Sequence, residues 1–265
     1  MFGDLNNLPT RVKRLADTRV LYVQFSGEAY FNDPSLFDVN LLPHKAETGE
    51  DHVVIPHTLG GQRLYVYNFA LDYFYRPRNY DVDKYAQPGM HSKFCSFIVS
   101  NGSATERVRF FERLNQQVPV DSCGAHLRNV SFDIPEFESA AYFAFMSQYK
   151  FNICFENTRQ DYYFTEKLIN AYYGKCVPIY YGCPKVLDYI NLDAIVYIDD
   201  ASDESLSKGA ERVLELHNDP AKYRSVYEQP LFKHGKVPPE LDLEALENVV
   251  FSAHKQKSLY TRAIE

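Results

Sequence analysis

Five side chains close together in the chain, Asn157, Arg159, Tyr163, Glu166 and Lys167, are of the types that handle a charged, hydroxylated ligand. Glu166 and Lys167 open a segment with helical spacing that runs to about Tyr173. A helix starting there offers free backbone N–H groups and the positive end of its dipole, and both favour phosphate. Lys167 in the first turn adds a full positive charge. Glu166 is out of place in a pure anion site, but a carboxylate can accept hydrogen bonds from ribose hydroxyls, as acidic residues do in dinucleotide sites. Asn157 and Tyr163 offer neutral hydrogen bonds to phosphate or sugar. Together these groups suit a nucleoside diphosphate that carries a sugar. The plainer alternative is an ordinary capped helix with an exposed Glu–Lys pair, and spacing alone does not separate the two. The glycine-rich segment of a P-loop is absent.

Such residues need elements to hold them. Tyr149 to Phe155 is a short aromatic and branched apolar run, the pattern of a strand. A polar and aromatic loop follows from Glu156 to Phe164. Thr165 is placed to cap the helix, and Gly174 to stop it. Val177 to Tyr181 reads as a second buried strand, closed by Gly182 and Pro184. This strand–loop–helix–strand unit fits a parallel sheet, in which ligands sit beyond the carboxyl ends of the strands.

The same alternation extends on both sides of the unit. Phe94 to Ser100 and Val118 to Gly124 read as strands, with an amphipathic helix from Ala104 to Gln116 between them and Ser103 as its cap. A helical stretch covers Pro135 to Ser147. Ala194 to Ile198 is a further strand, followed by helices at Leu206 to His217 and Asp219 to Glu228 and a last one near Leu241 to His254. Strands alternating with helices over residues 93–228 imply a doubly wound α/β domain. The first region has strand candidates at Arg19 to Phe25, Asp38 to Leu42, His52 to Pro56 and Leu64 to Phe69. The polar, proline-broken stretch Tyr75 to Ser92 is the best boundary, dividing the chain into residues 1–88 and 89–265.

Composition narrows the partners. The chain has 265 residues, enough for two modest domains, and a net charge of −7, which argues against nucleic acid. Its five cysteines form no CxxC pair and read as buried free thiols in a reducing compartment. No apolar run is long enough to span a membrane. The expected setting is the cytoplasm, free or peripheral to a membrane, or else a fragment without its anchor. The acidic segment Asp199 to Glu204 invites a metal, but acids before a helix also complement its dipole, and a surface loop is expected there.

The central unit also carries a resemblance. FENTRQDYYFTEKL (155–168) followed by VPIYYG (177–182) closely resembles the signature of the α1,3-fucosyltransferases, glycosyltransferase family 10. FIVSNGSATERVRFFERLN (97–115) and VDSCG (120–124) are similar to the preceding donor-domain elements of that family. FSGEAYFNDPSLFD (25–38) is similar to its acceptor-domain motif, with GEA where many members have GEN. The resemblance implies an α/β, GT-B-like architecture: two Rossmann-like domains facing a cleft, here with a short or truncated N-terminal one. It implies transfer of L-fucose from GDP-β-L-fucose to an oligosaccharide hydroxyl with inversion, α1,3 to GlcNAc or Glc. By the same resemblance Arg107 and Lys167 neutralise the diphosphate, Asn157 and Tyr163 contact the phosphate and fucose, and Glu166 grips the ribose. Glu28, a carboxylate just past a strand end, is the expected general base. No bound cofactor is implied, although a divalent cation stimulates some members. Two alternatives stand beside this reading: an enzyme using another GDP-sugar, or a non-catalytic GDP- or glycan-binding remnant.

Overall fold

The computed structural model describes Val23–Phe25, Val39–Leu41, residues 90–235 apart from 162 and 164, and Lys255. β1 (Val23–Phe25) and β2 (Val39–Leu41) pair in parallel, with Val23 opposite Val39. A second sheet holds β3 (Lys93–Phe97), β4 (Asp121–Ser122), β5 (Tyr149–Ile153), β6 (Val177–Tyr180) and β7 (Val196–Tyr197). Its order is β4-β3-β5-β6-β7, and every pairing is parallel. Among the described residues, α1 (Thr105–Asn115), α2 (Ala140–Met146) and α3 (Glu166–Tyr173) connect these strands, and α4 (Asp203–Asn218) and α5 (Pro220–Tyr227) follow the last of them.

The central strands are apolar because both of their faces are covered, as a parallel sheet requires. Every residue of β6 is buried, and β3 and β5 each have one half-exposed position. On one face, Phe110, Phe111 and Leu114 of α1 pack with Leu206, Val213 and Leu216 of α4 against Phe97, Phe151 and Ile179. Each such side chain stabilises the fold by about 1.5–3 kcal/mol relative to exposure. On the other face, Leu168 and Ile169 of α3 pack against Tyr180. Phe143 and Met146 of α2 close the same layer around Tyr149. All five cysteines are buried free thiols, as expected.

All five strands of this sheet are shorter than the apolar runs that carry them, and for β4 and β3 the structure shows why. Val118 to Gly124 yields only Asp121–Ser122, because this edge strand meets β3 at just Ser96↔Asp121 and Phe97↔Ser122. Pro119 ahead of it has no N–H to give a ladder. β3 stops at Phe97 because the chain beyond it is bonded to the loop after β4: the Val99 carbonyl accepts from the His126 N–H at 2.9 Å. α1 is capped at Ala104 rather than Ser103, and without a side-chain hydrogen bond; the Ser103 N–H instead donates to Asn101 Oδ1 at 2.8 Å. α2 begins only at Ala140, where Ser139 Oγ accepts from the Tyr142 N–H.

α3 has the expected limits and cap residues, but not the expected cap geometry. Thr165 occupies the N-cap position, yet its hydroxyl does not bond the helix. Gly174 follows the helix at φ −72°, and the left-handed residue is Lys175 at φ 62°. Gly174 is needed for room instead: a Cβ there would come within 2.6 Å of Met146 Cβ. The expected strands at 52–56 and 64–69 and the last helix at 241–254 lie outside the described residues, as does Glu28. No helix among the described residues is long and apolar enough to cross a membrane.

Candidate active site

The strand order reverses between β3 and β5. From β3 the chain moves outward to β4, and from β5 it moves the other way to β6. Loops that diverge in this way leave a crevice beyond the carboxyl ends of the two strands, where ligands of open α/β sheets bind. Here the crevice has a volume of about 70 Å³ and is walled by Val99, Asn152, Cys154, Glu166, Lys167 and Asn170, among others. Its floor is polar but satisfied: Asn152 Nδ2 donates to Ser96 Oγ at 2.9 Å across the β3–β5 pair.

Arg107 comes to this site from the first turn of α1. Its helix carries two more arginines, and sequence position alone marks all three as surface. The structure separates them. Arg107 is 2% exposed. Its Nη1 donates to Asn157 Oδ1 at 2.7 Å and its Nη2 to the Asn101 carbonyl, so the guanidinium ties the loop after β3 to the loop after β5. Nε, also buried, has no partner. Burial lowers the Arg107 pKa, opposed by Glu156, Tyr163 and Glu106. Arg109 and Arg113, by contrast, lie on the α4 side of the helix and both donate to Asp203 Oδ1, at 2.8 and 2.9 Å. The acidic segment near residue 200 is therefore engaged at its helix end by arginines.

Lys167 and Glu166 lie together in the first turn of α3. Lys167 Nζ is 3.7 Å from Glu166 Oε1 and 3.3 Å from Glu156 Oε2, and it donates to Thr165 Oγ1 at 2.9 Å. Burial works against the Lys167 charge, but the Glu156 and Glu166 carboxylates overcome it and raise its pKa. Asn157 is exposed at the mouth, with its Oδ1 on Arg107. Tyr163 is 1% exposed and lies near enough to Arg107 to act on its charge. Arg159 turns away from this group, and its Nη2 donates to the Asp199 carbonyl at 3.2 Å. Of the residues singled out from the sequence, Arg107, Asn157, Tyr163, Glu166 and Lys167 thus gather at one end of the sheet, and Arg159 stands apart.

Sequence reasoning missed Glu156, which reads as one polar residue in a loop. The structure buries it, at 2% exposure, beneath the others. Its Oε1 accepts from the Thr165 N–H at 2.6 Å and its Oε2 from the Thr165 hydroxyl at 2.8 Å. Burial pushes the Glu156 carboxyl up, against the pull of Lys167 and the Thr165 hydrogen bonds. One signal was available in the sequence: Gly182 ends the next strand. A Cβ there would stand 2.5 Å from Glu156 Cγ and 2.7 Å from the Tyr180 hydroxyl oxygen.

The arrangement offers an anion the Lys167 ammonium and a helix start, with the Arg107 guanidinium buried nearby, and offers hydroxyl groups the Glu166 carboxylate. Comparison with known proteins points the same way. The model of glycosyltransferase family 10 (fucosyltransferase), C-terminal part, matches residues 89–230. The chain is 31% identical over 208 residues to the alpha-(1,3)-fucosyltransferase FucT of Helicobacter pylori, a match covering 77% of this chain and 41% of that protein. It is 30% identical over 151 residues to GDP-fucose protein O-fucosyltransferase 3 of Canis lupus familiaris, covering 54% of this chain and 30% of the relative. The chain thus spans well under half the length of these relatives. In structure it resembles an alpha1,3-fucosyltransferase crystallised with GDP-fucose, with a TM-score of 0.67 at 22% identity over 88% of this chain and 74% of that one. That likeness shows the fold, and the α/β, GT-B-like class expected from the sequence holds.

Proposed function

The chain belongs to glycosyltransferase family 10, the fucosyltransferases, and we propose that it moves L-fucose from GDP-β-L-fucose to a glycan hydroxyl with inversion at the anomeric carbon. One observation supports this most: Arg107, Asn157, Glu166 and Lys167 converge at the carboxyl end of the sheet, where its strand order reverses. Glu166 binds the ribose hydroxyls. Asn157 and Tyr163 bind the phosphate and fucose region. Arg107 and Lys167 face the diphosphate and stabilise the charge that grows on it as the bond to the anomeric carbon breaks. Two cationic side chains meet the leaving group in this scheme, so no bound cofactor is required.

The other half of the reaction is assigned to Glu28. As the acceptor oxygen bonds to the anomeric carbon, its proton passes to the Glu28 carboxylate, and the electron pair of the broken bond leaves with GDP. The proposed linkage is α1,3 to GlcNAc or Glc. Five buried free thiols support a reducing compartment, and with it a cytoplasmic or membrane-peripheral location.

Incubation with GDP-fucose and a panel of N-acetyllactosamine, lactose and chitobiose-core acceptors tests the activity. Fucosylated product is the expected result. Absence of both transfer and donor hydrolysis across the panel would count against it. Glu28→Gln is expected to abolish transfer while leaving GDP binding near normal, and full activity in that variant would remove the base assignment.

A further inference from the structure

The two cations of the candidate donor site rest on a carboxylate that the scheme above does not use. Glu156 has no exposed side-chain surface and both of its carboxylate oxygens are engaged, by Thr165 and Lys167, so it is committed to the protein and not to an acceptor. It accepts the N–H and the hydroxyl of Thr165, and it pairs with Lys167 Nζ at 3.3 Å. The same Thr165 hydroxyl oxygen accepts from Lys167 at 2.9 Å. Glu156 therefore anchors the N-cap residue of α3 and holds the ammonium of its first turn in one connected network. A notch accommodates it: its own N–H is bonded to the Tyr181 carbonyl at 2.9 Å, and Gly182 leaves the space a Cβ would fill. A buried carboxylate is costly unless paired, and here the pairing is with the residue meant for the diphosphate. Lysine alone is a point charge on a flexible four-carbon stem.

We propose that Glu156 is the positioning residue of the donor site: it fixes the start of α3 and holds the Lys167 ammonium, charged, where the diphosphate of a nucleotide sugar arrives. The inference rests on the reading of this site as a GDP-sugar site. Glu156 holds Lys167 from below; Glu166 on α3 is the other carboxylate beside it, and Arg107 from α1 is the nearby cation.

Glu156→Gln tests it, because glutamine keeps the shape and an acceptor for the Thr165 N–H but removes the charge. GDP affinity, read by calorimetry, is expected to fall roughly tenfold. The pKa of Lys167, read from the pH dependence of brief amine-labelling pulses followed by mass spectrometry, is expected to fall as well. Adding Lys167→Arg to the Glu156→Gln chain is expected to restore part of the affinity, since a guanidinium stays charged without a carboxylate. Should Glu156→Gln fail to fold, Thr165→Val breaks the same network from its other member and is expected to weaken GDP binding. A wild-type chain that binds no GDP removes the functional reading itself. A wild-type chain that binds GDP, with a variant that binds equally well and an unmoved Lys167 pKa, overturns the role of Glu156 alone.

Discussion

At the amino end of the five-stranded sheet, Lys93 Nζ lies 3.2 Å from Asp121 Oδ2 and donates to the Tyr149 hydroxyl oxygen at 3.3 Å, while that hydroxyl donates to Asp121 at 2.9 Å. At the carboxyl end, Lys167, Glu156 and Thr165 repeat the same three chemical types. The surroundings differ. Asp121 keeps 31% of its side chain exposed, whereas Glu156 keeps none, so water can replace partners only at the amino end. Lys93 is covered by the Phe132 ring, with Nζ 4.4 Å from its centre; Lys167 sits in the first turn of a helix, beside a crevice. Cavity size and side-chain chemistry favour different ends. The hollow beside Lys93, about 590 Å³, is far larger than the crevice beside Lys167, but it is walled mainly by Phe132, Pro135, Ala141, Ala144 and Phe145. Convergent polar groups at the point where strand order reverses identify a site better than volume does.

Arginine replacement gives the largest expected separation of the two ends. Arg107→Ala removes a buried cation and the link between the loops after β3 and β5. GDP binding should weaken by roughly 2–5 kcal/mol, the scale for losing one partner of a buried charged contact. Lys93→Ala should leave GDP binding unchanged and show only in thermal melting. Calorimetry on both variants decides the matter, and equal losses of affinity would break the distinction between the ends.

Gly182→Ala is expected to act next most strongly. The added methyl meets Glu156 Cγ and the Tyr180 hydroxyl inside van der Waals contact, with Tyr180 fully buried and unable to retreat. Urea denaturation should show a loss of about 1–3 kcal/mol, the range for overpacking a core. GDP affinity should fall with it, because the displaced group carries Lys167. A chain that loses stability but keeps its affinity would separate Glu156 from the site.

What the sequence made legible follows from where its signals lie. α3 was readable to the residue, because polar loop, helix start and glycine stop are all local. So was the gathering of Asn157, Glu166 and Lys167, which are near neighbours in the chain. Arg107 was different: helical spacing does not say which of three arginines faces the sheet, and only the family resemblance selected it. Glu156 was illegible for a stronger reason. Its burial depends on Gly182, 26 positions away, and on the approach of β6 to β5. The bonding of the Thr165 cap was illegible for a related reason, since Glu156 and Lys167 engage the hydroxyl that local rules assign to the helix backbone.

Tyr149→Phe sharpens the amino end. It removes one hydroxyl that joins Asp121, Lys93 and, at 3.7 Å, the Cys123 thiol. Asp121 retains Lys93 and solvent, so the loss of stability should be about 0.5–1.5 kcal/mol. Burial pushes the Cys123 thiol up to about 11, which leaves it a protonated, weakly bonding group at neutral pH. GDP affinity should not move if, as proposed, the ligand binds at the opposite end of the sheet.

The smallest expected effect concerns His91, at the same end, and its sign distinguishes the two ends. Its Nε2–H donates to the Lys175 carbonyl at 2.7 Å, and its ring stands edge-on to Tyr223 and Tyr227. Burial lowers its pKa from the ordinary 6.5, with the positive charges of Lys150 and Lys175 adding to the effect. The unfolded chain therefore takes up this proton more readily than the folded one. The contribution to stability is complete above pH 6.5 and is lost as pH falls through the folded value. His217, lowered by burial and by Lys150, acts in the same sense. Glu156 acts in the opposite one: its raised pKa favours the folded state below the ordinary 4.5, and that advantage is lost as pH rises through the folded value. The Asp200, Asp203, Glu204 and Glu215 carboxylates, lowered by their hydrogen bonds and ion pairs, also lose stability in acid, but only below the ordinary 4.5. A fall in melting temperature between pH 6.5 and 4.5 is therefore in the sense of His91 and His217 and opposite to that of Glu156. His91→Phe, which keeps the ring but cannot titrate, should melt lower at neutral pH and fall less steeply below it. An unchanged slope would remove His91 from the acid response.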